Sequence, residues 1–555
     1  MTCYFSMLHA AELEEIIGDP VAIWVDTNTA KLDRYKSQIR AFAYEVMTPF
    51  VLPYNRGARI MRSRQGGFGV PLYRKVAAQL EDAIGFGVYA LGDRLPSLRL
   101  CAKQQGVSLS TVLEAYRILE DSGLIETRPQ AGHFVVRSAR SAVESRVNMP
   151  PNLVSGVEMA ELIDMVMGRA QDPALISFAT GYPTLDPVQT SAIERALLRA
   201  VPRSAGAVGR SPCAAGATEL RRMVALRALS LGCAFNPQDL IITSGTTESI
   251  TLCLSALLEP GNTVALESPT SFGFLRILEI LNLRCLEIPT HPRYGMSVDA
   301  LKQAVLQGKV DAVLSAPTLS NPTGACMPLT ERKRLEELLR ENKIPMVEDA
   351  VYNDLVNDES SRRAVKSFDH DGWILLCNSY SKTVSPALRV GWLHPGRFGG
   401  EIRRVKSAMS VGNCPINELA LAELLAESQY GRHIRRLHRA NRGHIGEACK
   451  VISASFPVGT CVTDPNGGSA LWIELPRGLD AQRLFALCLD EGILIAPGSI
   501  FSATRAYRNC VRISISGPLD HVRKSALRRI GELATRLLAG QWDVRAAPER
   551  MLDHQ

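Results

Sequence analysis

Ser379-Tyr380-Ser381-Lys382, with Arg389 seven residues further on, is the stretch that decides how this chain reads. It follows the strand-like run Trp373-Ile374-Leu375-Leu376. A lysine set directly after a buried strand holds an amine that can form a Schiff base with an aldehyde. Two hydroxyls and an arginine beside it suit a phosphate. Around this stretch, residues 171–540 alternate short β-rich runs with helical patterns, the signature of an α/β fold.

Four further signals lie in the same region. Leu240-Ile241-Ile242 feeds the small-residue turn Ser244-Gly245-Thr246-Thr247-Glu248, which opens a helix. Free backbone N–H groups at such a turn suit a phosphate, and an ordinary strand-to-helix turn has the same composition. Asn321-Pro322-Thr323-Gly324 holds an asparagine extended before proline, its amide free to donate. Pro345-Met346-Val347-Glu348-Asp349-Ala350-Val351-Tyr352 is a buried strand ending in acid. A carboxylate there stands at the edge where α/β sheets bind ligands. Val511-Arg512-Ile513-Ser514-Ile515 alternates so that Arg512 lies on one face of a strand, where its fork suits a carboxylate.

In order and spacing these five signals resemble the fold-type I, pyridoxal-phosphate-dependent aminotransferases. The resemblance implies a mainly parallel central sheet and a smaller C-terminal α/β subdomain. It implies that Lys382 carries pyridoxal 5'-phosphate as a Schiff base and that Asp349 pairs with the pyridine nitrogen, which makes the ring an electron sink. Asn321 and Tyr352 would hydrogen-bond the phenolic oxygen. Gly245, Thr246, Ser379, Ser381 and Arg389 would hold the phosphate. Arg512 would take the carboxylate of an amino acid, and Gly181-Tyr182-Pro183 would form the loop over the substrate. The chain departs from the family twice. Ser271 stands where an aromatic ring normally covers the cofactor, with Phe272 beside it as a substitute, and Ser211 stands where a partner subunit normally lends a tyrosine to the phosphate.

Residues 70–137 form a separate block. Val76, Leu80 and Ile84 make one buried helical stripe over Tyr73–Ile84, which Gly85 and Gly87 stop. Ser97 can cap a short second helix with Leu98, Cys101 and Ala102 inward, Gly106 allows a sharp turn, and Ser108 can cap a third. Val112, Ala115, Tyr116 and Leu119 form the inner face of that third helix, which Gly123 ends. Two short strands follow, Leu124–Thr127 and His133–Val136. The pattern is helix, helix-turn-helix and wing, in which the third helix enters the major groove. Pro71-Leu72-Tyr73, Gly92-Asp93-Arg94-Leu95-Pro96-Ser97-Leu98-Arg99, Gly106-Val107-Ser108 and Thr111-Val112 resemble the winged-helix domain of the GntR family. This implies DNA contacts from Arg99, Ser108, Ser110 and Thr111, with Gly132 and His133 at the wing tip. Leu109 and Leu113 stand where members often carry arginine. Leucine cannot read guanine bidentately, so the target sequence stays open.

The two blocks together resemble the MocR subfamily of GntR-type bacterial regulators. The resemblance implies a transcription regulator that binds double-stranded operator DNA, holds pyridoxal phosphate and senses an amino acid, amine or vitamer. It also implies a head-to-tail, domain-swapped homodimer. Two other readings stay open: an active aminotransferase with an accessory DNA-binding domain, and an inert scaffold.

The remaining sequence narrows the setting. There are 63 Lys and Arg against 56 Asp and Glu, a balance of +7 that does not by itself argue for nucleic acid. The 13 cysteines include no Cys-x-x-Cys pair, so no zinc ribbon or thioredoxin-type site is expected and no metal is assigned. No apolar run approaches about 18 residues, so no membrane span is expected, and the inventory is that of a cytoplasmic protein. Residues 138–170 read as a linker and 541–555 as a tail. Residues 1–69 end in Arg56, Arg59, Arg62 and Arg64 and have two readings. One is a start placed too early, with Met61 the true start. The other is a poorly packed extension whose arginines form a phosphate-contacting arm or a solvated tail.

Overall fold

The computed structural model describes residues 72–135 and 154–540, apart from short stretches within those ranges. The expectations for residues 1–69, most of the linker, the tail, Gly123 and Ser211 fall outside the described residues.

The first block follows its apolar spacing. Helix α1 (Leu72–Gly85) buries Val76, Leu80 and Ile84 against helix α3 (Leu109–Asp121), which turns Val112, Ala115, Tyr116 and Leu119 inward. Between them lies α2 (Leu98–Gln105), capped by Ser97, whose side chain accepts from Leu100 N–H. Gly106 closes α2 in the left-handed region at φ 63°, a conformation without penalty only for glycine. Ser108 Oγ then accepts from Thr111 N–H at 3.2 Å and starts α3. The Tyr116 hydroxyl donates to Pro96 O at 2.7 Å and ties α3 to the turn before α2. Strands β1 (Ile125–Arg128) and β2 (Gly132–Val135) pair antiparallel as the wing, one residue out of step with the sequence expectation at each strand.

The second block is built on a nine-stranded sheet. Its strands are β3 (Ile241–Thr243), β4 (Thr263–Ser268), β5 (Arg284–His291), β6 (Ala312–Ser315), β7 (Met346–Asp349), β8 (Ile374–Ser379) and β9 (Gly391–His394), with two short additions at Val154–Ser155 and Gly295–Met296. Five run parallel in the order β5-β4-β6-β7-β8. Antiparallel strands complete both ends, so the sheet is mixed. Val264, Leu266, Leu314, Val347 and Leu375 pack on one face and Ala265, Val313, Met346 and Ile374 on the other. With both faces covered, the central strands read as mainly apolar runs, with Glu267 and Glu348 as buried exceptions. Strand β9 is antiparallel to both β8 and β3, so β3 runs in the same direction as β8. The ends of β3, β7 and β8 therefore open on one edge of the sheet.

A smaller unit follows. Strands β10 (Cys461–Val462), β11 (Ala470–Glu474), β12 (Ala496–Pro497) and β13 (Cys510–Ser514) form an antiparallel sheet in the order β10-β11-β13-β12. It packs with the long helix Gln429–Ser455 and the terminal helix His521–Leu538.

One buried cation shapes the loop that leads into the cleft. Arg332 is fully buried and donates to Met327 O at 2.8 Å, to Pro317 O at 3.1 Å and to Arg363 O. Residues 317 and 327 bracket the loop that carries Asn321. Replacing Arg332 by Met removes this donor from Met327 O and Arg363 O, while Pro317 O keeps the Met327 N–H at 2.8 Å. A carbonyl left unpaired when buried costs about 1–3 kcal/mol. Arg332→Met is therefore expected to lower stability by about 3 kcal/mol, read as a fall in the denaturant midpoint of the full chain.

Candidate functional site

Three neighbouring strands bring one group of residues together. Gly391 on β9 lies opposite Thr243 on β3 and Ser379 on β8. Gly245 follows β3 at φ 112° and caps the helix α4 (Thr246–Leu257). A Cβ on Gly245 would meet Arg389 Nη2 at 3.1 Å, so the guanidinium lies against this turn. Ser379 Oγ and Ser381 Oγ are 2.9 Å apart. Gly245, Thr246, Ser379, Ser381 and Arg389 thus surround the N-terminus of α4, where unpaired N–H groups and the helix dipole favour an anion.

A second group lines a cleft, among them Gly181, Asn321, Tyr352 and Arg512. Lys382 Nζ donates to Gly181 O at 3.0 Å and sits 3.8 Å from the Tyr182 ring centroid and 5.8 Å from that of Tyr352. Burial, and then the nearby Arg512 charge, pull the Lys382 amine down to about 7. Asp349 ends β7 and accepts from Val351 N–H at 3.0 Å. Burial pushes its carboxyl up to about 7 against that hydrogen bond and the Lys382 charge. Burial pushes Tyr352 up to about 12 and pulls Arg512 down to about 10.

Arg512 is 4% exposed and donates to Asn321 Oδ1 at 3.2 Å and to Ala179 O. Its guanidinium lies 5.2 Å from the Phe501 ring centroid and 5.7 Å from that of Phe272. Phe272 packs edge-on to Phe501, while Ser271 Oγ accepts from Asn321 Nδ2 at 3.4 Å.

Some neighbours of this site were not singled out from the sequence. Lys406 is fully buried and donates to Glu248 at 3.0 Å and to Asn413 at 3.1 Å. Glu248 accepts from Ser244 N–H, and Asn413 Nδ2 donates to Ser244 Oγ at 2.8 Å. The network holds the turn before Gly245 from behind. Ser514 lines the cleft two residues after Arg512, and strand alternation was the signal that could have found it.

In the first block, Arg99, Ser108 and Ser110 are exposed and Thr111 is half-buried. Ser108 Oγ lies 2.9 Å from Ser110 Oγ and 2.7 Å from Thr111 Oγ1. At the wing, Gly132 sits at φ 110° beside the Arg94 side chain. His133 Nδ1 is 3.0 Å from Thr127 Oγ1, and its ring meets Tyr116 edge-on.

Both blocks have counterparts among known proteins. Residues 173–530 match the aminotransferase class I and II family, and residues 72–135 match the gntR family of bacterial regulatory proteins. The chain is thus a helix-turn-helix regulator of DNA with an aminotransferase-like domain behind its head. The uncharacterized HTH-type transcriptional regulator YjiR of Escherichia coli is 35% identical over 84% of this chain and 99% of its own length. YdcR of the same organism, of the same description, is 30% identical over 83% and 98%. The structure of LysN, an α-aminoadipate aminotransferase of Thermus thermophilus complexed with N-(5'-phosphopyridoxyl)-L-leucine, superposes with a TM-score of 0.62 and 26% identity, covering 68% of this chain and 96% of that one. The chain belongs to the MocR type of GntR-family regulators.

The buried carboxyl gives a pH test. An acid raised in the folded state contributes stability below its unfolded value, near 4, and loses it as pH rises to the folded value, about 7. Asp349→Asn cannot ionise. In cofactor-free protein its thermal midpoint is expected to gain on wild type between pH 4 and pH 7, with no further gain above 7.

Proposed function

We propose that the large block binds pyridoxal 5'-phosphate and an amino acid, amine or vitamer, and that this binding governs how the winged-helix block holds a double-stranded operator. The observation that carries the reading is the buried amine of Lys382, held on the cleft residue Gly181 and within electrostatic reach of the buried Asp349 carboxyl. The residues fit the cofactor. Asp349 has one backbone donor and no cationic hydrogen-bond partner, and Arg512 Nε and Ser514 Oγ are buried without partners. Such atoms are costly until a ligand pairs them.

When bound, the cofactor supplies an electron sink next to the amino group of its ligand. The protein's own residues do the rest. Lys382, whose amine burial pulls down to about 7, would be the residue that anchors the cofactor's aldehyde. Asp349 holds a proton at the pyridine nitrogen. Tyr352 and Asn321 donate toward the phenolic oxygen. Gly245, Thr246, Ser379, Ser381 and Arg389 hold the phosphate, with Phe272 near the ring. Arg512 takes the ligand carboxylate under the loop of Gly181 and Tyr182.

In the winged helix, Arg99 grips phosphate, Ser108, Ser110 and Thr111 meet the groove, and Gly132 and His133 approach the backbone at the wing. We assign these roles to residues 70–137 and the cofactor roles to 171–540. The protein acts as a head-to-tail homodimer in the cytoplasm, its two heads set on two half-sites. The coupling is reciprocal, so operator DNA shifts effector affinity by the factor with which effector shifts DNA affinity. Retention of both Lys382 and Asp349 also favours a second reading, a working transaminase. Multiple turnovers with a 2-oxo acid would establish it.

Reduction of the protein–pyridoxal phosphate mixture with borohydride is expected to fix the label on the Lys382 peptide, and Lys382→Ala to abolish it. The yield should rise as pH approaches 7 and then level off. Labelling spread over surface lysines, unchanged in the variant, would sink the assignment. For DNA, Arg99→Ala should weaken binding to all duplexes about equally and reduce the slope of log affinity against log salt by about 1, measured by fluorescence anisotropy.

A further inference from the structure

The front of helix α3 carries two leucines that no packing explains. Leu109 is 49% exposed and Leu113 is 54% exposed, while Val112, Ala115, Tyr116 and Leu119 on the same helix are at most 1% exposed. Single exposed leucines are ordinary on protein surfaces. A pair four residues apart is different, because their Cβ atoms lie about 5–6 Å apart on one side of the helix. Ser110 and Glu114 lie beside them on the exposed surface, and Ser108 precedes them at the cap. No basic residue occurs between Val107 and Tyr116. The first two turns of the helix therefore offer no bidentate fork for guanine. What they offer is apolar surface among hydroxyls and one carboxylate.

In the major groove one base edge alone is apolar, the C5-methyl of thymine. We infer that Leu109 and Leu113 read thymine methyl groups, so that the operator carries thymine at two fixed positions under α3. This rests on the DNA-binding reading and specifies the bases that it left open. Four residues advance about 6 Å along a helix, and base pairs are stacked about 3.4 Å apart. The two methyls therefore belong to base pairs one or two steps apart.

The test uses the full chain and a pool of randomised duplexes. Binding selection defines the preferred sequence. Each thymine in it is then replaced by uracil, which differs only in lacking the methyl, and affinity is measured at fixed salt. Two positions one or two steps apart in each half-site are expected to lose about three- to fivefold each, the effect of one buried methyl-sized group. The double variant Leu109→Ala, Leu113→Ala, checked for folding by circular dichroism, should bind the selected duplex more weakly and respond to uracil at neither position. Leu109→Arg should draw guanine into the selected sequence. Uracil tolerated at every position, or equal losses in wild type and double variant, would overturn the inference while leaving DNA binding intact. If selection enriches no duplex at any salt, the DNA-binding reading falls, and this inference with it.

Discussion

The site depends on the absence of a side chain at residue 391. Strand β9 lies between β3, which leads into Gly245, and β8, which ends at Ser379. A Cβ on Gly391 would meet Gly245 Cα at 2.7 Å and Asn378 O at 2.8 Å, closer than real Cβ atoms come. Main chain therefore packs on main chain, and nothing but glycine lets it. The contact draws the turn at the start of α4 up to the strand that carries the lysine. Arg389, two residues earlier, takes a left-handed φ of 51° in the same bend and lies against Gly245. One close backbone approach thus sets the spacing between the anion-favouring turn and the amine.

That spacing creates an electrostatic debt within the cleft. Lys382, Asp349 and Arg512 share a region of low dielectric, and each has its charged form disfavoured by burial. Lys382 Nζ rests on the carbonyl of Gly181 and Arg512 on Asn321 and Ala179. A carbonyl is a poor match for a full positive charge, and two polar atoms in the same cleft stay unpaired. A ligand with an anionic group and a protonated ring nitrogen would satisfy these groups together. On the proposed function, a ligand that engages the Lys382 amine would also compete with its hydrogen bond to Gly181 O.

Much of this was readable from the sequence because the informative residues sit in short contiguous motifs at strand ends. Asp349 lies just past Met346-Val347 and Lys382 a short turn past Ile374-Leu375-Leu376-Cys377, and the parallel sheet makes such apolar runs conspicuous by covering both faces. The antiparallel turn of β9 was less visible. Gly391-Trp392-Leu393-His394 reads like any buried strand, and its direction follows only from the connection across residues 380–390, short of the dozen or so that a parallel crossover needs. Lys406 and Asn413 left no signal. They lie more than 150 residues from Glu248 and join it only once the helices pack. The shift of each wing strand by one residue has a local cause. Ile125 pairs with Val135, both buried, and that pair fixes the register.

The charge of the winged-helix block bears on how it can be regulated. Residues 71–137 carry eight basic and seven acidic side chains, nearly neutral for a surface that meets a polyanion. Affinity for DNA from counterion release scales with the number of phosphates neutralised, and few cations mean a small contribution. Two heads joined at a fixed distance, as in the proposed dimer, would gain a large factor through effective concentration, but only where their spacing matches the two half-sites. With so small a contribution from each head, that spacing would be decisive. On the proposed function, a small movement in the large block would then change occupancy by a large factor without altering any contact between a head and its bases, which is the division of labour that ligand control would require.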